Sequence, residues 1–217
     1  MRACTTAFLA VILLFAAPTS SRAHPHVWID MRTEMHFDPE GRLTAIGVAW
    51  TFDEFYSAFA VEGAAKGEDG YDEELLAGLT DVNLENLAEW NYFTEVVSGG
   101  APVTTGKAEN GKSTWDDETG RLTLSFVVPL ETPQAPSAAT PVKIRVYDPS
   151  YYISIDYLKD DPILMTGDVP AGCKVKTETP NVENVWTTLP ESAFTSSSSQ
   201  LGAYFAPVAT VTCASAT

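Results

Sequence analysis

The chain has 217 residues, with 13 Lys and Arg against 29 Asp and Glu, a formal net charge of −16 and a sequence pI of about 4.4. So acidic a surface repels phosphate backbones and anionic lipid, which argues against nucleic-acid binding. The length suits one domain or a closely packed pair, and a 45% apolar composition can supply a core.

Residues 1–23 read as a secretory signal peptide. Arg2 forms a short positive region, and Phe8 to Ala17 forms an apolar stretch of ten residues. A bilayer span takes about 20 residues. Ser21 and Ala23 are the small residues at the −3 and −1 positions of a cleavage site. Cleavage there predicts an exported chain that begins at His24 with a free amine. The segment carries two bases and no acid, so its loss makes the protein still more negative. It also carries Cys4, leaving Cys173 and Cys213. In an oxidising compartment the two are expected to form a disulfide closing a loop of about 40 residues, worth about 3–4 kcal/mol. Their spacing matches no zinc motif.

From Val27 apolar and polar residues alternate: Val27, Ile29, Met31, Met35 and Phe37 are apolar, with Thr33 the exception. That is the period of a half-buried strand. Asp38-Pro39-Glu40-Gly41 is a turn, and a second strand runs from Arg42 to about Phe52. A four-residue turn pairs Phe37 with Arg42. Val27 then faces Phe52, Ile29 faces Trp50 and Met31 faces Val48. On the opposite face His26 meets Asp53, Trp28 meets Thr51 and Asp30 meets Ala49. A bulge of one residue would bring Glu54 to the same place.

Asp53 is the expected N-cap of a helix through Ala60. Gly63–Gly70 is a loop. A second helical region runs from Tyr71 to about Asn91, with Leu75, Leu76, Leu79, Leu84, Leu87 and Trp90 near helical spacing, and with Gly78 or Thr80-Asp81 as a break. Strands follow at Tyr92–Ser98, Arg121–Leu130, Val142–Tyr147 and Tyr151–Tyr157. Gly106–Gly120 is polar, Glu131–Pro141 is a Pro/Ala-rich loop, and Ser196–Ser199 is low-complexity. The expected class is α+β: antiparallel, sandwich-like sheets with a two-helix insertion after the first hairpin. The domain is placed at residues 24–190 and a partly flexible tail at 191–217, anchored by Cys173–Cys213.

The three histidines, His24, His26 and His36, all fall within thirteen residues. On an extended strand His24 and His26 point the same way, roughly 6–7 Å apart, and two imidazoles so placed can share an ion. Neutral imidazole suits zinc, nickel and copper. Asp53 or Glu54, brought alongside by the hairpin, would add oxygen, and the amine of His24 a further nitrogen. A square-planar amine–amide chelate through His26 is blocked, because Pro25 has no N–H to lose. His36 lies about 33 Å further along a straight strand and reads as a solvated residue. The competing reading of His-Pro-His is an unstructured chain end. No G-x-S-x-G occurs and the histidines sit only at the N-terminal end, which argues against a serine or cysteine hydrolase, and the chain is read as non-catalytic.

Four stretches carry a resemblance: Ala23-His24-Pro25-His26-Val27-Trp28-Ile29-Asp30, Trp50-Thr51-Phe52-Asp53-Glu54-Phe55, Leu87-Ala88-Glu89-Trp90-Asn91-Tyr92-Phe93 and Val146-Tyr147-Asp148-Pro149. The chain resembles a bacterial family of exported proteins, domain-of-unknown-function family 1007, whose members are labelled the periplasmic component of an uncharacterised transport system. The resemblance implies a periplasmic location and metal handling beside a nickel/cobalt-type permease, and it adds Asp148 to the candidate ligands. Asp148 also reads as a turn residue bonding its own backbone. Some relatives carry an aspartate-rich loop between the helices; Gly67–Glu74 lacks the spacing of a calcium loop. The expectation is a periplasmic transition-metal-binding protein that carries or buffers zinc foremost, or nickel or copper, for an inner-membrane permease. Its metal residues are His24, His26, Asp53, Glu54 and Asp148. The alternatives are a metal-free adaptor that docks the permease through Tyr151, Tyr152 and Tyr157 and, behind it, a metal-dependent enzyme using His24, His26 and Asp53.

Overall fold

The alternation in the first strand decides which side of the molecule is inside. In the computed structural model, which describes residues 25–68, 70–190, 192–195 and 200–214, β1 (Val27–Phe37) buries Val27, Ile29, Met31, Thr33, Met35 and Phe37 and turns the intervening residues outward. β2 (Leu43–Phe52) runs antiparallel to it and buries Ile46, Val48, Trp50 and Phe52.

The pairing differs from the expected one by two residues. Ile29 faces Phe52, Met31 faces Trp50 and Thr33 faces Val48. One extra residue comes from the turn, where Arg42 is held inside it: its N–H donates to Asp38 Oδ1 at 2.8 Å and its carbonyl accepts from Asp38 N–H. The other comes from a bulge after Leu43, since Phe37 pairs with Leu43 but His36 with Ala45. A one-residue slip would have exchanged the faces; two residues preserve them. The core assignments hold, and the partner of every outward residue changes.

Two helices follow: α1 (Glu54–Ala60) and α2 (Glu73–Ala88). Asp53 caps α1 as expected. The side of α1 facing the sheet is fixed by Ser57, whose buried hydroxyl accepts the Leu122 N–H at 3.0 Å, and by Tyr56 stacked on Phe52. α2 is continuous through Gly78 and Thr80. Thr80 does not break the helix because its hydroxyl bonds the Leu76 carbonyl and reaches Ser113 at 2.8 Å in the packed face.

After a 3-10 turn at Asn91–Phe93 come β3 (Thr94–Ser98), β4 (Ala101–Pro102), β5 (Glu109–Asp116), β6 (Arg121–Gln134), β7 (Val142–Val146), β8 (Ile153–Tyr157), β9 (Ile163–Gly167), β10 (Lys174–Glu178), α3 (Val182–Thr188), α4 (Ser192–Thr195) and β11 (Val208–Thr212). The polar stretch at 106–120 therefore contains an edge strand, β5, whose polarity suits a position with one neighbour in the sheet. Tyr92, expected in a strand, lies instead in a turn where Asn91, Tyr92 and Phe93 all have φ near +53°, and Tyr92 is buried.

The strands form two mixed-to-antiparallel sheets, β5-β6-β2-β1-β8 with β9 also on β1, and β10-β11-β7-β3-β4. β8 and β9 run parallel to β1 and share one edge of it, β8 along Val27–Met31 and β9 along Thr33–Phe37. Buried residues of both sheets belong to one cluster that includes Met31, Trp50, Phe126, Ile144 and Val211. Burying apolar area of this kind contributes roughly 25 cal/mol per Å². β11 lies between β10 and β7, so residues beyond 191 supply a strand to the smaller sheet. The expected Cys173–Cys213 disulfide is present and ties the start of β10 to the end of β11. Among the described residues no helix is long and apolar enough to cross a membrane.

Candidate metal centre

The expected ligands can now be placed. His24 lies outside the described residues. His26 stands just before β1 and is exposed. Its N–H donates to the Tyr152 carbonyl at 2.8 Å, and its ring lies 4.8 Å from the Tyr152 ring at an interplanar angle of 35°. The imidazole is therefore docked on an aromatic neighbour from the β8 side.

Asp53 lies opposite Trp28, not His26, as the two-residue change of pairing requires. Trp28 N–H donates to Asp53 Oδ2 at 2.8 Å, and Asp53 N–H donates to the Trp28 carbonyl at 2.9 Å. The other carboxylate oxygen, Oδ1, accepts the N–H groups of Phe55 and Tyr56, both at 2.9 Å. One carboxylate thus caps α1 and fastens the start of β1. Glu54, in the first turn of α1, is exposed.

Asp148 is buried, 6% exposed. Oδ1 accepts the Ser150 N–H at 2.9 Å, Oδ2 accepts the Ile153 N–H at 3.0 Å, and the Ser150 hydroxyl lies 2.8 Å from both oxygens. It organises the turn that leads into β8, with Tyr151 at φ +60°. Val27 pairs with Ile153 in the neighbouring strand. Asp53 and Asp148 therefore flank the first residues of β1 from its two sides. Both carboxylates are aimed at backbone N–H groups. Among the described residues no group of three His, Cys, Asp or Glu side chains is arranged to hold a metal ion.

Arg121, at the start of β6, was not anticipated. Its Nε donates to the Phe52 carbonyl at 2.6 Å, one terminal nitrogen donates to the Thr51 carbonyl at 3.0 Å, and the other pairs with Asp30 at 2.8 Å. This guanidinium sets a fixed positive charge near the end of β2 and lowers the appeal of that side for a cation. Only the three-dimensional pairing of β2 with β6 reveals it; no local pattern marks it.

His36 is not the solvated residue expected. Its ring is half-buried on the outer face of the larger sheet. Nε2 is buried without a hydrogen-bond partner and lies where a side chain on Gly47 would start, 2.9 Å from the Cβ position, while Nδ1 is 3.4 Å from the Thr166 hydroxyl. β9, beside it in the sheet, has no counterpart among the expected strands.

A family described as "Protein of unknown function (DUF1007)" matches residues 9–213, nearly the whole chain. No curated protein matches the sequence.

Proposed function

The chain belongs to that family of unknown function, DUF1007, and from this premise we propose that it is a periplasmic protein that binds zinc, nickel or copper and carries or buffers the ion for an inner-membrane permease. His24 and His26 supply the donors, with the amine of His24 after removal of residues 1–23. The observation that carries the reading is the exposed imidazole of His26 at the start of β1, held on Tyr152, with Asp53 bonded to the neighbouring Trp28 and Glu54 next to Asp53 in the chain. The ion is cargo, so a shallow site from which it can leave suits the role.

The residues present divide the work. Asp53 already accepts three N–H groups, and Asp148 is committed to its turn. Their part is a negative field and a rigid frame. Glu54 is exposed and free of such bonds, so it is the carboxylate able to swing in as an oxygen ligand. We read the fold around the site as a two-sheet sandwich in which α1 and α2 are an insertion after the first hairpin.

Titration of metal-stripped protein with zinc, copper and nickel tests the proposal. Micromolar or tighter binding that His26→Ala abolishes supports it; equal, weak binding by both overturns it. Mass spectrometry of the exported protein should give a chain starting at His24. A second reading, a metal-free adaptor of a transporter, is favoured by a different observation: the strongly exposed aromatic residues beside the same end of β1.

A further inference from the structure

Exposed large apolar side chains are scattered over the described residues, among them Val82, Trp90, Leu164, Val182 and Tyr204, but the two most exposed sit on one helix. Phe55 is 91% exposed and Phe59 70% exposed, one turn apart on α1. Trp28, at 53%, hangs from the same carboxylate as Phe55, since Asp53 Oδ2 takes the Trp28 N–H and Oδ1 the Phe55 N–H. Single exposed apolar residues are ordinary, but two phenylalanines stacked along one short helix are not. The opposite side of α1 already holds the helix in place through Ser57 and Tyr56, so the phenylalanines are not needed to dock it.

Ala58, Glu54 and Glu62 border the two rings, and these five residues form one open, shallow face of the helix. Every charged side chain there is acidic. Lys66, four residues after Glu62, is paired with Asp117, and Arg121 with Asp30. The whole chain is at −16.

We propose that this face of α1 is the docking surface for a basic amphipathic helix of another protein, whose apolar side chains straddle Phe55 and Phe59 and whose Lys or Arg residues meet Glu54 and Glu62. Charge selects the occupant. A second copy would bring the same glutamates against each other, and an anionic bilayer would be repelled, whereas a basic segment is attracted and steered. An apolar centre with a charged rim is the usual anatomy of such an interface. Glu54 is shared with the proposed metal site, but Phe55, Phe59 and Glu62 are not, so loss of metal binding in His26→Ala leaves this face in place and the two proposals fail separately.

A synthetic Leu/Lys amphipathic peptide is the probe, with a Leu/Gln peptide of the same pattern as its neutral control. Binding to the purified protein should be salt-sensitive, weaker for the control, and weakened about ten-fold or more by Phe55→Ser with Phe59→Ser. Glu54→Gln with Glu62→Gln should weaken it and flatten the salt dependence. All four side chains are exposed, so thermal unfolding should remain at the wild-type temperature. Undiminished binding by the phenylalanine variant would overturn the proposal, because general acidity would then suffice. So would retention by phosphatidylcholine vesicles without peptide binding, or a dimer that the phenylalanine variant dissolves.

Discussion

At the residue scale, Asp53 explains why a candidate ligand can be placed by sequence and still have another task. Its spacing from the apolar run marks an N-cap, and the structure agrees; that one oxygen also fastens Trp28 could be found only from the strand pairing. Asp53→Ala should cost about 1–2 kcal/mol in denaturant unfolding, because a cap and a strand contact are lost together. Asp53→Asn keeps an acceptor for the cap and should cost less. If Asn leaves metal affinity intact while Glu54→Gln lowers it, Glu54 is the oxygen ligand. Tyr157 offers a separate test. Burial pushes its phenol up to about 12, with the Thr33 hydroxyl beside it partly offsetting the rise, whereas an exposed phenol titrates near 10. The folded state then holds a proton that the unfolded state releases. Stability is complete below about pH 10 and falls as pH rises towards 12, by up to about 2–3 kcal/mol. Tyr157→Phe should remove that alkaline fall in thermal unfolding followed against pH.

At the element scale, period-2 alternation identified β1 and β2 and their inner faces because burial acts on each residue separately. The register was not legible. It depended on one residue retained in the turn by Asp38 and one in the bulge, both set by local hydrogen bonding that a hydrophobic pattern does not record. The edge strand β5 was hidden for a related reason. One of its faces meets α2 through Thr80 and Ser113, and the other has little apolar cover, so it has no alternation to read. Gly111 lets α2 approach β5 closely there. A Cβ there would fall 2.4 Å from Leu84 Cδ1 and 2.8 Å from Thr80 Cγ2. Gly111→Ala should therefore push α2 away from β5 and cost about 1–3 kcal/mol, measured by urea unfolding. A neutral result would show that α2 is free to shift.

At the scale of the whole molecule, composition and cysteine spacing carried more than local pattern did. The disulfide was expected from two cysteines alone and joins β10 to β11. It closes a separation of 40 residues, so Cys173→Ser with Cys213→Ser should cost about 3–4 kcal/mol on the chain-entropy account, measured by denaturant unfolding. The two helices after the first hairpin were legible from capping and leucine spacing. β9 and the order of strands in both sheets were not, because parallel pairing along β1 brings together residues more than 120 positions apart. The same topology puts His26, Trp28, Asp53, Glu54 and Phe55 at one end of the β1–β2 pair, and His36 beside β9 at the other.

Three histidines at such different places make one measurement decisive. Imidazole ¹⁵N resonances of a chain that begins at His24 should be followed while zinc is added. The account predicts that the His24 and His26 signals move together and saturate at one ion per chain, while His36, its Nε2 buried over Gly47, stays where it was. Unmoved His24 and His26 resonances, or a shift confined to His36, would contradict it.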